Sequence, residues 1–240
     1  NVHFMREIYA EQPLSAPGMW NRVVARGLEG FVYAVTPFNF TSIALNLATA
    51  PALMGCTVVW KPAPTSMLSS WVGMQILEEA GLPPGVVNLV SGDPRLVSSR
   101  VLPHADLAGI HFTGSTATFN TLWKAVGQNL DHYRSYPRVV GETGGKDFVF
   151  AHPSADVPTL ATALIRGAFE FQGQKCSAAS RAYIPRSLWK AVKERLVDET
   201  KTIKMGDPED FRNFMSAVID QRSYERIKGY IDGAKHDLSL

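Results

Sequence analysis

From about Gly30 onward, short apolar runs rich in β-branched residues alternate with longer stretches in which apolar residues recur at helical spacing. Gly30-Phe31-Val32-Tyr33-Ala34-Val35 predicts a buried strand, ended by Thr36-Pro37-Phe38-Asn39. Residues 40–54 space Ile43 and Leu47 on a helical period. Thr57-Val58-Val59-Trp60-Lys61 predicts a second strand closed by Pro62 and Pro64, after which Thr65 or Ser66 is placed to cap a helix running to Gly81. A third strand, Val86 to Val90, follows the stop signal Gly81-Leu82-Pro83-Pro84-Gly85, and a short helix starts at Pro94. A fourth strand covers Ala108 to Phe112, and Thr113-Gly114-Ser115-Thr116 opens a helix towards Gly127.

This alternation predicts an α/β fold: a doubly wound, mostly parallel, Rossmann-like sheet with right-handed crossovers. Residues 139–145, with Glu142, Gly144 and Gly145, read as a boundary. Beyond them come a strand at 147–150, a helix at 156–171, a strand at 181–185 and helices at 187–202 and around 224–234. We therefore expect a nucleotide-binding domain over residues 1–144 and the first part of a second α/β, catalytic domain over 145–240.

Composition narrows the function classes. Lys and Arg number 24 against 22 Asp and Glu, a formal +2 with the charges interspersed, which gives no footing for nucleic acid. No apolar run is long enough to span a bilayer. The cysteines, Cys56 and Cys176, form neither a disulfide framework nor a C-x-x-C pair, which favours a reducing compartment. His104, His111 and His132 show no metal-ligand spacing, so no metal is expected.

Several residues invite a chemical reading beside a plainer one. Gly173-Gln174-Lys175-Cys176-Ser177 falls in a turn between a helix and a strand, where a thiol can be exposed and Lys175 can favour thiolate; a buried structural cysteine is the alternative. Cys56, among apolar residues, reads as structural. Glu142, between glycines and apolar residues, is either a partly desolvated general base or a solvated loop carboxylate. Asn39 is either an oxyanion donor or a helix N-cap. Lys61 ends a strand where open sheets carry ligands, or is a surface lysine. Gly114-Ser115 opens a helix whose amides can take a phosphate, a common and weak signal.

Taken in order, these segments resemble the aldehyde dehydrogenase superfamily. The resemblance rests on Thr36-Pro37-Phe38-Asn39-Phe40, on Pro51 to Pro62, on Phe112-Thr113-Gly114-Ser115-Thr116, on Glu142-Thr143-Gly144-Gly145-Lys146 and on Gly173-Gln174-Lys175-Cys176. A finer likeness is to its Δ1-pyrroline-5-carboxylate dehydrogenase branch, which oxidises glutamate γ-semialdehyde in proline catabolism. Arg26 to Phe31, Thr118-Phe119, Leu122-Trp123-Lys124, Gln128 to Asp131, Ser177-Ala178 and Ser216 to Asp220 carry it.

The resemblance implies that Cys176 is the nucleophile and Glu142 the base that activates the hydrolytic water. It implies that Asn39 and the Cys176 backbone amide hold the oxyanion, with Phe40, Lys175 and Ser177 beside the substrate. Thr36, Lys61, Gly114, Ser115, Thr116, Ala117 and Thr118 would contact NAD. It further implies a homo-oligomer, a link to proline dehydrogenase, and a place in the bacterial cytoplasm or the mitochondrial matrix. Sequence on both sides of these 240 residues is also expected, and the isolated piece is expected to be inactive.

Two positions depart from the broader pattern. Phe119 stands where many relatives have glycine, as it does in the semialdehyde branch. Pro64 stands where many NAD-preferring relatives have a carboxylate for the adenosine ribose, so NADP stays open beside NAD.

Overall fold

The structure, a computed structural model, describes residues 1–237. The chain divides into two compact units, Asn1–Thr143 and Gly144–Leu240.

The first unit is built on five parallel strands, β1 (Phe31–Thr36), β2 (Thr57–Pro62), β3 (Val87–Leu89), β4 (Leu107–Gly114) and β5 (Arg138–Thr143), in the order β3-β2-β1-β4-β5. Alternate side chains of the central strand enter different cores, as the pleat requires. Val32 and Ala34 pack with Val58, Trp60 and Val87 beneath α2 (Thr41–Leu53) and α3 (Met67–Glu79). Tyr33 packs with Leu107, Ile110 and Phe112 beneath α5 (Thr116–Gln128), with Leu102 joining from the end of α4 (Pro94–Val101). With both faces of the inner strands covered, their near-continuous apolar sequence is what a parallel sheet needs. Trp60 is fully buried, and burial of so large a side chain contributes roughly 3 kcal/mol.

Two elements fall outside the sequence expectation. A helix, α1 (Val2–Ala10), buries none of its residues. The strand β5 occupies the segment expected as a boundary; Gly141 and Glu142 break its apolar alternation, and among the described residues it is an edge strand paired only with β4.

In the second unit β6 (Asp147–Phe150) pairs in parallel with β7 (Ala179–Tyr183). Helices α6 (Val157–Phe169) and α7 (Arg186–Lys201) close a small core of Ala151, Leu160, Leu164 and Val192, and α8 spans Gln221–Asp237. Asp156 caps α6, its carboxylate accepting from the Thr159 amide at 3.0 Å. The helix ends two residues before the expected Phe171, because the chain turns left-handed there.

Candidate functional site

The strand order places a topological switch between β1 and β4: the chain builds β2 and β3 on one side of β1, then crosses back to add β4 and β5 on the other. Connections diverge there, and the crevice at the carboxyl ends of the strands is where such sheets bind ligands. Thr36 ends β1, Lys61 lies at the end of β2, Gly114 ends β4 and Glu142 lies at the end of β5. Candidate residues scattered through the sequence thus share one edge of one sheet.

Lys61 is not the surface lysine of the plainer reading: it is 2% exposed. Its Nζ donates to the Pro62 carbonyl at 2.8 Å, and burial pushes its pKa down while the negative charge of Asp93 pulls it up. Asp93 follows β3, the neighbour of β2, and its Oδ1 accepts from the amides of Arg95 and Leu96 at 2.9 Å, capping α4. Nothing in the sequence pattern pointed to Asp93 beyond an Asp-Pro helix start. Thr36 is also buried, and its hydroxyl accepts from the Trp60 indole N–H at 3.0 Å.

Asn39 is half-buried, with Oδ1 out of reach of solvent. It is not the N-cap of α2: Phe40 holds that position, in extended conformation and with no side-chain cap bond. The capping alternative for Asn39 therefore falls. Glu142 lies on β5 opposite Thr113 and is exposed, so within these described residues it is a strand carboxylate, neither the desolvated acid nor the loop residue expected.

At the end of β4 the helix α5 starts with an exposed run, Ser115 to Thr118. Ser115 is the N-cap, its Oγ accepting from the Thr118 amide at 3.2 Å and lying 2.8 Å from the Thr118 hydroxyl. The amides of Thr116 and Ala117 stand in the first turn, where no intrahelical acceptor exists. Exposed helix-start amides at a switch point, together with a buried lysine two strands away, fit a dinucleotide, whose phosphates and ribose need those two kinds of donor.

The second unit holds Cys176, half-buried in the turn Lys175-Cys176-Ser177, with Ser177 exposed. Phe171 (φ 53°), Gln172 (φ 56°) and Gly173 (φ 66°) are successively left-handed, costing roughly 1–3 kcal/mol for each of the two that are not glycine. Side-chain bonds tie this turn to the 217–219 segment: Gln172 Nε2 donates to the Ala217 carbonyl at 2.8 Å, and Gln174 Oε1 accepts from the Ile219 amide at 2.9 Å. Lys175 does not offer its charge freely to the thiol. Its ammonium is bonded to Glu170, which also accepts from Arg166 at 2.8 Å. Lys175 first, then Arg166, holds the Glu170 carboxyl below the usual carboxylate range.

The remaining candidates are structural. Cys56 is buried, and its Sγ accepts from the Leu28 amide at 3.4 Å. His111 Nδ1 lies 3.1 Å from the Leu47 carbonyl oxygen, and burial lowers its pKa. No group of side chains suited to a metal ion occurs among the described residues. Among them, too, no helix is long and apolar enough to cross a membrane.

Comparison with known proteins identifies the family. Residues 2–238 match the model of the aldehyde dehydrogenase family. The mitochondrial Δ1-pyrroline-5-carboxylate dehydrogenase of Dictyostelium discoideum is 52% identical over 98% of the chain and 43% of its own length. That of Homo sapiens is 52% identical over 100% of the chain and 43% of its own length. The crystal structure of the Mycobacterium tuberculosis Δ-pyrroline-5-carboxylate dehydrogenase bound with NAD superposes with a TM-score of 0.94 at 57% identity, covering 98% of this chain and 44% of that one. The chain thus spans less than half the length of these relatives. A family match along nearly every residue, carried by a parallel sheet with the candidate motifs at its carboxyl edge, makes this chain a member of the aldehyde dehydrogenase family.

Proposed function

We propose that the whole protein containing this chain oxidises glutamate γ-semialdehyde to glutamate with NAD, in the breakdown of proline. The observation that carries the cofactor half of this reading is the buried Lys61 on the same sheet edge as the exposed start of α5, two strands away. The substrate half rests on the likeness to enzymes named Δ1-pyrroline-5-carboxylate dehydrogenase over 98% or more of the chain.

In this reading residues 1–144 bind the dinucleotide and residues 145–240 begin the catalytic domain. Lys61 donates to a ribose, Thr36 contributes to the same edge, and Gly114 to Thr118 face the pyrophosphate. When bound, NAD supplies the hydride acceptor. The Cys176 thiolate attacks the aldehyde carbon, and the Asn39 amide and Cys176 backbone N–H donate to the oxygen as it becomes anionic. A donor of this kind is worth roughly 3 kcal/mol in the transition state. Loss of hydride from that adduct leaves a thioester on Cys176. Glu142 takes a proton from water, the resulting hydroxide adds to the thioester carbon, and the carboxylic acid departs as the C–S bond breaks. Phe40, Lys175 and Ser177 line the substrate side.

The protein acts as a homo-oligomer and takes its substrate from the product of a proline dehydrogenase. Its compartment is the cytoplasm in a bacterium and the mitochondrial matrix in a eukaryote; the eukaryotic relatives above are named mitochondrial.

The test is NADH production by the whole protein with glutamate γ-semialdehyde, alongside Cys176→Ala and Glu142→Gln. Cys176→Ala abolishes turnover, and Glu142→Gln accumulates an acyl group on Cys176 that mass spectrometry detects. Most of the activity surviving in Cys176→Ala overturns the reading. A preference of about tenfold, roughly 1.4 kcal/mol, for a different semialdehyde moves the substrate assignment and leaves the chemistry.

A further inference from the structure

Gly144 and Gly145 are glycines for different reasons. Gly144 has φ 69°, a left-handed conformation that other residues resist. Gly145 does not share it; what it lacks is room. A Cβ on Gly145 would fall 1.9 Å from the Cys176 carbonyl oxygen, 2.6 Å from the carbonyl carbon and 2.8 Å from the Cα. All three atoms belong to the backbone of the cysteine, so no side-chain rotation can relieve the contact.

Sheet register explains the approach. Asp147 opens β6 and is paired with Ala179, the first residue of β7, and the Ser180 hydroxyl donates to the Asp147 carbonyl at 3.2 Å. The residues just before the two strands are consequently laid against each other: Gly145 on one side, Cys176 on the other.

The cysteine turn has little freedom to retreat. It is tied upstream by the left-handed run Phe171 to Gly173, laterally by Gln172 and Gln174 on the Ala217–Ile219 segment, and downstream by β7. A side chain at 145 would therefore displace the Cys176 peptide by about 1 Å, and a misplacement of that size can cost about 10²-fold in rate.

We infer that Gly145 is a positioning residue for the nucleophile: its missing side chain fixes where the Cys176 backbone, and with it the thiol and the amide, stand. The inference rests on the proposed role of Cys176. It concerns space beside the thiol, and it predicts an effect on chemistry without one on dinucleotide binding.

The experiment compares Gly145→Ala in the whole protein with the parent, with Cys176→Ala, and with Gly167→Ala. Gly167, on α6, is a matched control because its Cβ would lie 3.4 Å from the Ala179 Cβ, an ordinary contact. Three quantities are read: kcat and KM, the dissociation constant of NADH by fluorescence, and the pH profile of Cys176 alkylation by iodoacetamide, followed by peptide mass spectrometry.

In Gly145→Ala we expect kcat to fall about 10²-fold, alkylation to slow about tenfold or more with an altered pH profile, and KM and the NADH constant to stay within about threefold. Gly167→Ala matches the parent. Parental kcat and alkylation in Gly145→Ala overturn the inference. So does a Gly145→Ala protein that no longer unfolds cooperatively or binds NADH, since the glycine then serves the fold. An inactive Cys176→Ala beside a parental Gly145→Ala removes the inference alone, whereas an active Cys176→Ala removes the role of Cys176 and the inference with it.

Discussion

Gly141 and Phe119 compete for one place: a Cβ on Gly141 would lie 2.2 Å from Phe119 Cε2, with two further ring atoms at 2.5 Å. The ring also meets Phe112 at 5.7 Å and Trp123 at 5.8 Å between centroids, so it is held between α5 and the sheet. Gly141→Ala is expected to destabilise by about 1–3 kcal/mol through overpacking. In the Phe119→Ala background the same change has room, so the double variant is more stable than the sum of the singles by about 0.5 kcal/mol or more. Thermal unfolding of the four proteins checks this, and strict additivity would show that the two residues do not meet.

That pair also marks where the sequence stops being legible. Phe119 was visible only through a family resemblance, as a departure, shared with the semialdehyde branch, from the broad pattern, and the space it needs is made by a glycine on a strand that apolar periodicity does not reveal. The inner strands were legible because burial on both faces demands unbroken apolar runs such as Phe31 to Val35. The exposed edge strand β5 makes no such demand. Lys61 and Asn39 were misjudged by their plainer readings because burial of a polar residue at a strand end depends on neighbours distant in sequence. The left-handed Phe171 and Gln172 carry no local signal, since neither is the glycine that such a conformation favours. Candidate motifs were recognisable by their order along the chain; their gathering on one sheet edge follows from topology.

Burial of Lys61 carries a cost that pH can expose. Its folded pKa lies below its unfolded value, so between the two the unfolded chain holds more protons and folding stability rises with pH. Lys61→Met removes this titration. The melting temperature of Lys61→Met minus that of the parent is therefore expected to be largest near neutral pH and to shrink as pH rises towards 10.5, the ordinary lysine value. Dinucleotide affinity should fall about tenfold or more, roughly 1.4 kcal/mol, if the lysine donates to the ribose. A pH-independent melting difference would refute the buried-charge account.

Asp93 supplies negative charge beside Lys61 where Pro64 cannot. Asp93→Asn preserves the capping acceptor for Arg95 and Leu96 and removes only the charge. Stability should change by less than about 0.5 kcal/mol, Asn and Asp being comparable caps. If Lys61 holds the adenosine ribose as proposed, repulsion of a 2′-phosphate is relieved, so the affinity for NADPH relative to NADH should rise by roughly fivefold, on the order of the 1 kcal/mol that a unit charge contributes at close range in water. Fluorescence titration with both cofactors measures the ratio, and an unchanged ratio would place the discrimination elsewhere.

Phe148 and Phe150, at 61% and 74% exposed, and the partly exposed Tyr183 form an aromatic group on the two-stranded sheet. Exposed apolar groups of this kind drive association. The 240-residue chain produced alone is expected to self-associate and to lack dehydrogenase activity. Light scattering and an NADH assay test both; a monomeric, active chain would contradict them.

Glu170 neutralises the one lysine adjacent to Cys176 in sequence. Lys175 and Arg166 both donate to that carboxylate. Glu170→Gln removes the negative charge and keeps a side chain of similar size that can still accept a hydrogen bond. Alkylation of Cys176 in the whole protein at neutral pH should then rise about two- to threefold, equivalent to roughly half a kcal/mol. The sign has a pH signature. The parent's Glu170 carboxyl is held below its ordinary value, so it stays ionised until the solution is well into the acid range. The difference between variant and parent should therefore be constant around neutrality and vanish only as pH falls through the carboxyl's lowered titration range, where the parent loses the same charge. A variant that is slower than the parent at neutral pH would mean that Glu170 acts by anchoring the turn through Lys175, and that its charge is of no consequence to the thiol.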